Sequence, residues 1–106
     1  MAAGWTRIAD LAALPDPGMA KFDLDGERIM VARAGATLYA VEDRCSHDDG
    51  PLDEGLLDGA EVICPRHGAR FDLRTGAATR MPASAPIRVF PVKVEGGAVL
   101  VDLGGG

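Results

Sequence analysis

Every cysteine and every histidine of this 106-residue chain lies between Cys45 and His67. They form two short pairs, Cys45-Ser46-His47 and Cys64-Pro65-Arg66-His67, separated by sixteen residues and flanked by turn formers. Two soft thiolates and two imidazoles grouped in this way point to a four-ligand metal site. This constrains the fold strongly, because each pair occupies its own loop and the two loops must meet to clasp one metal group. Pro65 stiffens the second loop, and Gly68 lets backbone approach closely enough for amide hydrogens to face a metal-bound sulfur.

The segments on either side read as short strands. Trp5 to Ile8 is β-compatible, and Asp10 to Leu14 allows one helical turn before Pro15-Asp16-Pro17-Gly18 ends it. Ala20 to Leu24 alternates polar and apolar residues at the period of a half-buried strand. Asp25-Gly26 predicts a hairpin turn into Arg28 to Arg33, with Ile29 and Val31 on one face, and Ala34-Gly35-Ala36 turns into Thr37 to Glu42. Alternation stops at Asp43. Beyond it, Leu57 to Ala60 reads as a turn, Glu61 to Ile63 and Ala69 to Leu73 as strands, and Arg74-Thr75-Gly76 as a turn. Met81 to Pro86 is too rich in proline for a central strand. Ile87 to Val94 and Ala98 to Asp102 complete a hairpin around Glu95-Gly96-Gly97, and Gly104 to Gly106 reads as a frayed tail. The chain is therefore expected to be all-β and a single domain over 1–106. An antiparallel base of about 1–43 and 76–106 is interrupted by a ligand-bearing insert of about 44–75.

Composition narrows the function classes. Nearly half the residues are apolar and the length suits one core, so the chain is expected to be a soluble globular domain. A net charge of -5 disfavours nucleic acid and anionic membrane and favours a basic protein partner. Met1 to Asp10 reads as mature structure and not as a signal peptide, and no stretch is long enough to span a bilayer. With both cysteines assigned to the metal, nothing asks for an oxidising compartment, and the expected location is the cytoplasm.

The pattern C-x-H followed by C-x-x-H resembles the Rieske family of iron-sulfur proteins, from about Arg44 to Thr75 and more loosely to the C-terminus. Cys45-Ser46-His47-Asp48-Asp49-Gly50-Pro51-Leu52 and Cys64-Pro65-Arg66-His67-Gly68-Ala69-Arg70-Phe71-Asp72 are similar to its soluble ferredoxins. The resemblance implies one 2Fe-2S cluster, with Cys45 and Cys64 on one iron and His47 and His67 on the other. It also implies a Rieske-like antiparallel β-sandwich base with an inserted cluster-binding β subdomain. The implied role is a carrier without catalytic residues, passing single electrons from a flavin-dependent NAD(P)H reductase to a terminal oxygenase. A monomer is expected.

Replacing two of four thiolates by neutral imidazoles takes the oxidised cluster from doubly negative to neutral, which makes it easier to reduce. The second ring nitrogen of each histidine can meet a partner and change protonation with redox state. Departures from the family pattern set the expected potential. The high-potential, membrane-bound branch has a disulfide-forming cysteine in each loop, where this chain has no thiol near Gly50 or at Arg66. That branch also places serine and tyrosine hydroxyls against the cluster sulfurs, where this chain has Ala69 and Phe71. Losing those hydrogen bonds disfavours the reduced state, and acidic Asp48, Asp49, Asp53 and Glu54 act in the same direction if they lie near the iron. The expected potential is about -150 mV, the low end of the Rieske range.

The acidic run also has a plain reading as a solvated loop, equal in weight to one as a docking surface for a basic partner. Arg66, Arg70, Arg74 and Arg80 carry no assigned role. Pro82 and Pro86 are candidates for a lid, and Trp5, Phe22, Tyr39 and Phe90 read as core or half-buried strand residues. The alternative to a cluster is a structural zinc module using the same Cys2His2 set, although zinc fingers usually pair Cys with Cys and His with His. A cysteine-histidine hydrolase would leave one Cys-His pair without a role. An oxygenase would need a second site of two histidines and a carboxylate, and both histidines are already used. No G-x-G-x-x-G follows a strand, so reducing equivalents must come from another protein.

Overall fold

Short strands dominate because β-branched and apolar residues alternate with charge and are cut every few residues by glycine or proline. A computed structural model describes residues 5–24, 26–46, 50–81 and 83–103. His47, Asp48, Asp49, Pro82, Asp25 and the Gly104 to Gly106 tail lie outside the described residues. In chain order the elements are β1 (Trp5–Asp10), a single 3-10 turn (Leu11–Ala13), β2 (Gly18–Leu24), β3 (Glu27–Ala34) and β4 (Thr37–Glu42). Then come β5 (Leu56–Asp58), β6 (Glu61–Ile63), β7 (Arg70–Asp72), β8 (Ala78–Arg80), β9 (Val89–Phe90), β10 (Val92–Glu95) and β11 (Ala98–Asp102). The fold is all-β as expected, with no α-helix among the described residues. No helix among them is long and apolar enough to cross a membrane.

Three antiparallel sheets form, in the orders β1-β11-β10, β2-β3-β4-β9 and β5-β6-β7-β8. The β2-β3-β4-β9 sheet lies between the other two. Ile29, Val31, Ala40 and Phe90 bury one of its faces with Val99 and Val101 of β11. Met30, Ala32 and Val41 bury the opposite face with Val62, Leu73 and Phe71 of the third sheet. Strand β3 is thus covered on both sides, whereas only its Ile29 and Val31 face was anticipated. The signal was present, since Ile29 to Ala32 is an unbroken apolar run of the kind found in strands buried on two faces. β2 is an edge strand, and exposed Lys21 and Asp23 discourage pairing with another chain.

The structure corrects three element assignments. The stretch Ile87 to Val94 is not one strand: β9 pairs with β4 and β10 with β11, and the chain changes sheet at Pro91. Pro91 has no N–H to continue a ladder, but its carbonyl accepts from the Asp102 N–H at 3.0 Å. The turn expected over Leu57 to Ala60 is confined to Gly59-Ala60, because Leu56 to Asp58 pairs with Glu61 to Ile63 as a tight hairpin. β8, unanticipated, pairs with β7 through an irregular register and gives the third sheet its far edge.

Candidate metal centre

Both ligand loops leave strand ends that face the interior. β4 ends at Glu42, and the next residue, Asp43, donates its N–H to the Arg28 carbonyl of β3 at 2.9 Å. This contact prolongs the strand and directs the chain inward, so that Cys45, two residues later, is buried. The Cys45 N–H donates to the Gly50 carbonyl at 2.8 Å, and Leu52 anchors the returning limb in the core with no exposed surface.

The second loop leaves β6 at Ile63. The Cys64 N–H donates to the Ala69 carbonyl at 2.7 Å and the Gly68 N–H to the Cys64 carbonyl at 3.2 Å, closing a tight turn around Pro65-Arg66-His67. Gly68 has φ +75°, in the left-handed region, so the turn itself requires glycine there. The Gly68 N–H itself goes to the Cys64 carbonyl.

Of the four expected ligands, Cys45 and Cys64 sit in the same buried apolar group, with Ala69, Phe71 and Leu52 among their neighbours. Neither is in a disulfide. His67 is exposed at the tip of the second loop, and His47 lies outside the described residues. Ala69 and Phe71 are buried beside the thiols and bring no hydroxyl there.

A buried carboxyl supports the first loop. Asp43 is 1 % exposed, and its Oδ1 accepts from the Leu52 N–H at 2.7 Å and the Asp53 N–H at 2.9 Å, tying the two ends of the loop together. Its side chain also hydrogen-bonds that of Asp53, which requires a proton between the two acids. Burial first, and this contact second, push the Asp43 carboxyl up to about 6. Asp53 Oδ1 is buried with no hydrogen-bond partner among the described residues. Asp53 is therefore not the solvated loop charge that the plain reading made it, whereas Glu54 is exposed.

Around the centre, Ser46 Oγ donates to the Ala85 carbonyl at 2.6 Å and fastens the first loop to the proline-rich segment. That segment packs against the thiol-bearing core through Ala83 and Ile87, and Pro86 is exposed. Arg70 pairs with Asp58 at 3.0 Å and Glu61 at 3.2 Å, and Arg74 with Asp72 at 3.1 Å. The Arg74 guanidinium holds the Asp72 carboxyl below its ordinary range. Two of the four unassigned arginines thus brace the third sheet.

A family model described as the Rieske [2Fe-2S] domain matches residues 4–91. The chain belongs to the Rieske [2Fe-2S] family. This Rieske domain is 44% identical over 101 residues to the ferredoxin component of biphenyl 2,3-dioxygenase from Rhodococcus jostii (strain RHA1), covering 95% of this chain and 94% of that protein. Among solved structures it is similar to the ferredoxin of carbazole 1,9a-dioxygenase from Nocardioides aromaticivorans IC177, with TM-score 0.90 and 39% identity, covering 94% and 98% of the two chains. It is also similar to a chain in a complex of reduced oxygenase and oxidized ferredoxin of carbazole 1,9a-dioxygenase, with TM-score 0.88 and 32% identity over 95% and 94%. The Rieske domain is thus an electron carrier with one 2Fe-2S cluster, not a catalytic subunit.

The residues present fit that group. Two buried thiols within apolar surroundings suit the cysteine-held iron, and an exposed imidazole suits the iron that faces outward. Among the described residues no group of three or more Cys, His, Asp or Glu side chains is placed to hold a single ion. The family match and the relatives named as ferredoxin components give the zinc alternative no support. The supporting residues Asp43 and Ser46 were not singled out by sequence reasoning. Only Asp43 left a trace, as an acid placed where the strand alternation stops.

Proposed function

We propose that Cys45 and Cys64 hold the inner iron of the cluster and His47 and His67 the outer one, within a single domain whose cluster-binding insert is about 44–75. The observation that carries this reading is the contrast in burial: both thiols lie in one apolar core, and His67 stands exposed at a loop tip. When bound, a 2Fe-2S cluster supplies a one-electron couple. The chain supplies the rest. The buried loop limbs keep water from the cysteine side, and the exposed His67 offers an imidazole edge through which a partner can come into electronic contact. The electron source is a flavin-dependent NAD(P)H reductase and the acceptor a terminal oxygenase, by analogy with the carbazole dioxygenase ferredoxin found with its oxygenase. The carrier works as a cytoplasmic monomer.

Purified protein tests this directly. It should be red-brown with about two irons and two acid-labile sulfides per chain, and have a midpoint potential of about -150 mV. Cys45→Ser and Cys64→Ser should abolish the colour. A colourless zinc-containing protein would refute the assignment, and failure to pass electrons from any NAD(P)H-dependent flavin reductase to an oxygenase would refute the carrier pathway.

A further inference from the structure

Gly55 lies eight residues beyond the first Cys-His pair and is not in the left-handed region, so its turn could accept another residue on conformational grounds. The space around it could not. A Cβ at Gly55 would stand 1.9 Å from the Ile63 carbonyl oxygen and 3.1 Å from both the Ile63 carbonyl carbon and Pro65 Cδ. Ile63 and Pro65 are the two residues on either side of Cys64. The obstacle is main chain that cannot easily yield, because Ile63 is paired with Leu56 and the Cys64 N–H is bonded to the Ala69 carbonyl.

The other side of Gly55 leads back to Cys45. Its N–H donates to the Leu52 carbonyl at 2.9 Å, the Leu52 N–H donates to Asp43 Oδ1 at 2.7 Å, and the Cys45 N–H donates to the Gly50 carbonyl at 2.8 Å. The two cysteine loops are therefore linked by protein contacts alone. We infer that Gly55 is a positioning residue: the absence of a side chain there sets how closely the first ligand loop seats on the backbone flanking Cys64, and hence the spacing of the two loops. This rests on the ligand assignment proposed above. Preorganising ligand-bearing loops in this way is how a protein controls the geometry and electronics of a metal group.

The test compares holoprotein variants. Gly55→Ala should lower iron and sulfide per chain at least about twofold. It should also shift both the midpoint potential and the electron paramagnetic resonance g-values of the cluster that remains. Gly59→Ala, in the neighbouring β5–β6 turn, has φ +60° and nothing within 4 Å of the added Cβ. It should lower the thermal midpoint yet leave potential and g-values at wild-type values, separating general destabilisation from positioning. A Gly55→Ala protein with wild-type iron content, potential and g-values overturns the inference. Should that variant yield no soluble holoprotein, amide exchange in wild-type holoprotein decides: peptides over 53–57 and 61–64 should open together. A 53–57 peptide that exchanges freely while 61–64 stays protected overturns the inference. Wild-type protein without iron and sulfide overturns the ligand assignment, and this inference with it.

Discussion

Asp43 holds the first cysteine loop closed by accepting two backbone hydrogen bonds, beside the Asp53 carboxyl. Its carboxyl is raised from 3.8 to about 6 in the fold, so folding favours the protonated form. That contribution is fully present below about pH 3.8 and is lost as pH rises through about 6. One pKa unit corresponds to about 1.4 kcal/mol, which puts the contribution at ~3 kcal/mol. Asp43→Asn keeps an oxygen to accept from Leu52 and Asp53 and gains an amide N–H toward Asp53, so it mimics the protonated acid at every pH. The stability of Asp43→Asn relative to wild type, from urea midpoints, should therefore grow between pH 5 and pH 8. Asp43→Ala removes both acceptors and should cost about 2–4 kcal/mol at pH 5, less at pH 8, because the variant lacks the titration that weakens wild type. A flat difference between wild type and Asp43→Asn would mean that Asp43 is ionised across this range. Ala69 and Phe71 supply a second residue-level expectation. Ala69→Ser and Phe71→Tyr each put a hydroxyl beside the thiols. A hydrogen bond worth about 0.5–1.5 kcal/mol to the reduced state converts to a rise of about 20–65 mV by potentiometry.

At the scale of elements, β3 separates two cores that differ in function. Ile29 faces the core shared with Val99 and Val101, and Met30 the core shared with Cys45 and Cys64; both are fully buried. Ile29→Ala and Met30→Ala should each cost about 2–5 kcal/mol in chemical unfolding. Only Met30→Ala should also speed iron loss to a chelator, since the cavity opens on the thiol side. Equal iron loss from both variants would show that the cores are not independent. The same strand shows what was legible in the sequence. Strand positions followed from alternation and glycine turns, and β4 was anticipated residue for residue. The partition of Ile87 to Val94 between two sheets was not, because periodicity specifies which residues share a face and not which sheet that face belongs to. β5 and β8 escaped because three-residue edge strands carry too few alternations to register. The meeting of Cys45 and Cys64 in one core was anticipated from their spacing, whereas the contacts that support their loops were not. A Cys-His spacing is a local pattern, whereas the Asp43 bond to Leu52 and the Gly55 seat on Ile63 are contacts across loops that exist only once the fold does.

For the whole molecule, charge and exposure together govern how a partner is met. The chain carries -5 at pH 7, and two of the arginines of the cluster-side sheet are held in pairs with Asp58, Glu61 and Asp72. These pairs cancel positive charge close to the loops and leave the acidic excess to act at long range. His67 is exposed at the tip of the second loop. An acidic carrier meeting a basic face on a protein partner is drawn in by the summed field, which accelerates encounter by roughly 10–1000-fold at low salt. The Debye length shortens from about 10 Å at 0.1 M to about 3 Å at 1 M, so that acceleration should collapse with added salt. Stopped-flow reduction of the oxidised carrier under second-order conditions should slow at least about tenfold between 0.05 M and 0.5 M salt. Its midpoint potential should change little over the same interval, because the cysteine side of the centre is buried away from the ionic atmosphere. A rate that holds steady or rises with salt would assign docking to apolar contact at the loop tips and remove the acidic surface from recognition.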